Sequence, residues 1–74
     1  MFKKIEVAEV YKLKEDISYF DIYIHSYTDD EEFIEDKSNN FIDTFNDKKR
    51  AIEKAKEVAD KRNIRHFIFS GTSE

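Results

Sequence analysis

The chain has 74 residues, a formal net charge of −4 and 41% charged residues, with one Gly, no Pro and no Cys. That length makes one domain whose net stability, at about 0.05–0.15 kcal/mol per residue, totals roughly 4–11 kcal/mol. Without Cys there is no disulfide, thiolate zinc site or thiol nucleophile. No apolar run approaches the ~20 residues of a membrane span, and the acidic balance disfavours nucleic acid, whose binders usually present a net basic surface.

Phe2 to Leu13 alternates, with Ile5, Val7, Tyr11 and Leu13 on one face and Glu9 as the misfit; Lys4, Glu6, Ala8, Val10 and Lys12 share the other. That is the pattern of a half-buried strand. Lys14-Glu15-Asp16 reads as a turn without Gly, joining this strand to a second one in a hairpin. The second strand, Ile17 to Tyr27, is greasy on both faces: Phe20, Ile22 and Ile24 point one way, and Tyr19, Asp21, Tyr23, His25 and Tyr27 the other. A chain with one helix covers one face of a small sheet, so the aromatic face calls for a second copy, a partner or a local loop.

Thr28 to Asn40 is irregular, and six of the eight residues from Asp29 to Asp36 are acidic. Phe33 and Ile34 interrupt that run and are expected to tuck back onto the hairpin. Asn39 to Phe45 is a short strand candidate, ending at Asn46-Asp47, which suit a helix N-cap. From Asp47 to about Asn63, Ala51, Ile52, Ala55, Val58 and Ala59 form one apolar stripe, and three alanines allow close approach to a sheet. Glu57 and Lys61 make a favourable i,i+4 pair, and Asn63 stands where a helix C-cap belongs. Ile64 to Phe69 is a last strand, closed by Ser70-Gly71 and a polar tail.

The order β-β-(β)-α-β predicts a small α+β domain: a mostly antiparallel sheet of three to four strands with one helix packed on one face. Residues 1–74 form a single domain, with an acidic loop at about 28–40 and a polar tail at 70–74. If 39–45 is a true strand, the crossover through the helix should set the last strand parallel to a hairpin strand.

Chemistry is thinly supplied. His25 and His66 lack ligand spacing such as H-x-H or H-x₃-H, so no metal site is expected, although Asp21 could join them if the strands were adjacent. The acidic run lacks the spacing and the Gly of a calcium loop. There is no nucleophile elbow and no phosphate loop, and paired carboxylates on so small a chain are poorly shielded. No catalytic residue and no cofactor is expected.

The residues therefore point to a non-enzymatic acidic binding module acting by protein–protein contact, with a protein partner or a second copy of itself. The candidate contact residues are Tyr19, Tyr23, His25 and Tyr27 on the strand, with Asp29, Asp30, Glu31, Glu32, Glu35 and Asp36 in the loop. Tyr suits such a face because it buries much area and keeps a polar tip. The alternative is a nucleic-acid-associated domain using Lys48, Lys49, Arg50, Arg62 and Arg65, with strand aromatics as stacking platforms. Ten Lys, nine Ile and seven Phe against three Arg suggest A/T-rich codons, as in a low-GC bacterium or its phage. An accessory or inhibitor protein of bacterial or host cytoplasm fits that origin. The start, Met1-Phe2-Lys3-Lys4, has no apolar signal core.

Overall fold

In a computed structural model, described for residues 2–27, 30, 33–34 and 40–73, the chain opens with two long strands. β1 (Phe2–Lys12) and β2 (Ile17–Tyr27) pair antiparallel from Phe2 opposite Tyr27 to Lys12 opposite Ile17. The turn between them closes on one carbonyl: Lys12 O accepts from the N–H of Glu15 at 3.3 Å and of Asp16 at 2.9 Å. It needs a left-handed residue and has no Gly, so Asp16 takes φ 55°; short polar Asp tolerates that region better than most side chains. The Tyr11 hydroxyl donates to the Asp16 carboxylate, and this bond is the main cause of its raised pKa.

β3 (Phe33–Ile34) and β4 (Asn40–Phe45) both pair antiparallel with the outer edge of β2, β3 beside Ser26 and Tyr27 and β4 beside Phe20 to Ile24. α1 (Lys48–Arg62) then crosses back, and β5 (His66–Ser73) pairs parallel with β1. The 39–45 candidate is therefore a strand from Asn40 on, and the expected parallel closing strand follows from it.

α1 begins and ends where local chemistry allows. Asp47 sits in extended backbone and its carboxylate accepts from the N–H of Lys49 at 3.1 Å, satisfying one orphan donor of the first turn. Asn63 ends the helix at φ 56°, its N–H bonding the carbonyls of Ala59 and Asp60. Ile64 N–H adds a 2.8 Å bond to Ala59 O, and its side chain is buried, a hydrophobic latch on the cap. The Glu57–Lys61 pair forms at 3.2 Å, and the Lys61 bond lowers the Glu57 carboxyl pKa.

The core is one layer thick. Ile5, Val7, Phe20, Ile22 and Ile24 from the hairpin meet Ala51, Ala55, Val58 and Ala59 from α1, with Ile64 at one end. Ile42 and Phe45 pack against its flank. A bulge makes this possible: Ile22 faces Asp43 but the next residue, Tyr23, faces Phe41, which leaves Ile42 outside the ladder. Ile52, placed on the buried stripe by its spacing, is only half-buried.

Two expectations about extent are corrected. The last strand starts at His66 rather than Ile64 and continues to Ser73, so residues 70–73 are strand and not a polar tail. β1 is long enough to offer partners up to Tyr11 opposite Ser73, which pulls the Ser-Gly-Thr-Ser segment into the ladder. The apolar face of β1 also stops early. Leu13 is 62% exposed and Tyr11 half-buried, because α1, at roughly 22 Å, is shorter than strands of roughly 36 Å. Among the described residues no helix is long and apolar enough to cross a membrane.

Ile22 and Asp47 test this account. Ile22 is fully buried, so Ile22→Ala is expected to cost about 2–5 kcal/mol in denaturant unfolding. Asp47→Ala is expected to cost about 1 kcal/mol through loss of the cap, with helix content at low temperature retained by circular dichroism.

Candidate functional site

The face of the sheet away from α1 carries the alternate residues of each strand. Pairing sets them in rows: His25, Lys4 and His66; Tyr23, Glu6 and Ile68; Asp21, Ala8 and Ser70; Tyr19, Val10 and Thr72. Phe2 and Tyr27 close one end. Phe41 of β4 extends the Tyr23 row. Every β1 and β2 member of this set is half-buried.

Aromatic contacts knit the surface together. Tyr23 stacks on His25 at 5.9 Å between centroids and meets Phe41 edge-on at 5.6 Å. Phe2 stacks on Tyr27 at 5.6 Å and touches His66 at 5.2 Å. Lys4 Nζ lies 4.5 Å from the Tyr27 centroid, and Lys12 Nζ 5.0 Å from that of Tyr19, cation–π placements that hold long cations flat over the rings.

At the centre stands Glu6. One carboxylate oxygen lies 2.8 Å from His25 Nε2, and the other accepts from Ser70 Oγ at 2.8 Å. One carboxylate thus spans three strands, β2, β1 and β5. Sequence reading placed Glu6 on this face without a role, since its partners lie 19 and 64 residues away. The order Ser–Glu–His puts the acid between hydroxyl and imidazole, so the His is not positioned here to deprotonate the Ser, as nucleophilic catalysis would need. The Tyr23 hydroxyl reaches Asp21 at 3.5 Å. Its pKa is raised, chiefly by burial, then by the negative charges of Asp21 and Glu6.

The other residues singled out by sequence fall in separate places. His25 and His66 flank Lys4 on opposite strands, so a whole strand separates them, and Asp21 lies two rows further along. Among the described residues no three His, Asp or Glu side chains gather as a metal site would require. Asp30 is exposed in a turn; Asp29, Glu31, Glu32, Glu35 and Asp36 lie outside the described residues. Phe33 and Ile34 add to the β2 edge as backbone partners. The basic residues divide: Lys48, Lys49 and Arg50 open α1, whereas Arg62 and Arg65 join Lys3, His66 and Phe2 around an open cavity of about 320 Å³ at the opposite end. The helix cations are thus on the other side of the sheet from the tyrosines.

The exposed Phe67 and Phe69 escaped the sequence reading. They project on the α1 side of β5, 41% and 61% exposed, and with Val7, Ile52, Ala55 and Lys56 line a groove of about 220 Å³. Alternation in the last strand signalled their shared face, but not that the helix would stop short of it.

Comparison with known proteins adds no relative: no family model matches the chain, and no curated protein and no solved structure matches it at a significant level.

The Tyr23 phenol gives a pH test. Its folded pKa lies above the ordinary value of 10.0, so the fold favours the neutral phenol. That stabilisation is whole below pH 10 and is lost as pH rises through the folded value. In an alkaline absorbance titration Tyr23 is expected to ionise above the ordinary tyrosine value, and Asp21→Asn is expected to bring it earlier.

Proposed function

We propose that this chain is a non-enzymatic binding module that docks a protein partner on the open face of its sheet. The observation that carries the reading is the composition of that face. Phe2 with Tyr27, and Tyr23 with His25 and Phe41, form two ring clusters on a face that also carries Tyr19, Ala8, Val10 and Ile68, and α1 packs on the other side. Their ring contacts restrict side-chain motion before any partner arrives, which reduces the entropy lost on docking. Glu6, Asp21, Lys4 and Lys12 set fixed charges among the rings, giving the face a pattern a partner must match. Aromatic enrichment of this kind is typical of interface cores.

A second reading draws on the cavity at the Asn63 end. Lys3, Arg62, Arg65 and His66 line it without a carboxylate, an arrangement suited to a phosphate-bearing strand. Lys48, Lys49 and Arg50 sit against the positive end of the helix dipole, so they would have to act as a separate contact roughly 20 Å away along the helix.

Tyr23→Arg separates the two. On the first reading, affinity capture from a lysate of the source organism yields a discrete protein that Tyr23→Arg loses and Lys49→Glu with Arg50→Glu retains. Loss with Arg62→Glu and Arg65→Glu instead, and a steep decline with salt, would sink it in favour of nucleic acid. Circular dichroism of each variant checks that the fold is kept.

A further inference from the structure

β5 is an edge strand without the usual protection. Among the described residues it pairs only with β1, so along His66–Ser73 one side of its backbone has no ladder partner. Natural edges are commonly blunted by charge, Pro, a bulge or shortness. The opposite edge shows three of these: β3 has two residues, and β4 has six, with a bulge and Asp43. β5 has eight residues, and its register with β1 runs without a shift. It also has no Asp, Glu, Lys or Arg, in a chain that is 41% charged. Beside it, Phe67 and Phe69 leave the apolar groove against α1 open.

We infer that β5 is a self-association edge, pairing antiparallel with β5 of a second copy to join two sheets into one. The occupant is argued from self-complementarity. Side-chain alternation restricts pairing to registers that keep like faces together. A register centred on Ile68 sets Phe67 of each copy opposite Phe69 of the other, giving two aromatic cross-strand pairs over the groove. It sets Ile68 against its own copy on the open face and brings no like charges together within the strand. The two-fold axis runs through the sheet, so both helices lie on one side and both open faces on the other. The inference rests on the backbone edge of β5 and its α1-side aromatics; it shares Ile68 with the proposed docking face but stands without that reading. The edge is short beside the roughly 1,200–2,000 Å² buried in standard interfaces, so a dimer that forms with rising concentration is expected.

Light scattering over a concentration series tests this on the full chain. The mass is expected to rise from 8.9 kDa towards twice that value, and Phe69→Lys is expected to keep it at the monomer while circular dichroism stays native. Because the chain has no Cys, Ile68→Cys is expected to give a disulfide-linked dimer on mild oxidation. Thr72→Cys is expected to give none, since that register holds its two copies roughly 26 Å apart along the strands, well beyond disulfide reach. A monomer up to about 1 mM overturns the inference, because even a millimolar dissociation constant would then give substantial dimer. So does a dimer that Tyr23→Arg breaks and Phe69→Lys leaves intact, or one that crosslinks through Thr72→Cys and not through Ile68→Cys.

Discussion

The burial of Ile5, Ile22 and Ile24 beneath the alanine stripe of α1 is the contact on which the rest of the molecule depends. Ala51, Ala55 and Ala59 bring the helix axis down close to the hairpin, so three isoleucines lose nearly all their exposure under one helix. Everything else is arranged around what that single contact can cover: one face, and about the middle of the strands' length. The hairpin tip, the β5 edge and the whole opposite face are what remains.

Those remainders are handled differently. The tip is ordered by local bonds, the Lys12 carbonyl with the Glu15 and Asp16 amides and the Tyr11 hydroxyl with the Asp16 carboxylate. The open face is knitted by stacked rings, cations laid over them and the Glu6 carboxylate spanning three strands. Glu6 keeps both oxygens bonded, which limits the desolvation cost of a carboxylate among aromatics. The β5 edge has no such device. Its flank is apolar and, among the described residues, its backbone is unpaired on one side, so of the three surfaces it is the one whose local chemistry is least consistent with standing alone.

Much of the fold could be read from local pattern. Period-two alternation marked β1 and β2, the 3.6 period marked α1, and Asp47 and Asn63 marked its ends because capping is decided within a few residues. The two faces of β2 separated as alternation requires. The last strand was harder: Ser70-Gly71-Thr72-Ser73 has the composition of a tail, and it becomes strand only because β1 continues alongside it. The bulge that frees Ile42 was likewise invisible, since alternation through Asn40–Phe45 carries no mark of where the register slips.

The sequence by itself determined the two hairpin strands and which residues share each of their faces, the helix with its caps and the closing strand's place after it, because each depends on periodicities and bonds spanning a few residues. Only the tertiary structure decided that Glu6 joins His25 to Ser70, that Lys4 stands between the two histidines, and that Phe67 and Phe69 lie beyond the shelter of α1. These depend on which strands become neighbours and on α1 lying over β1, β2 and β4 rather than over β5, where Phe67 and Phe69 stand level with the buried Ile5 and Val7. Such placements are set by packing between residues far apart in the chain, and no local pattern encodes them.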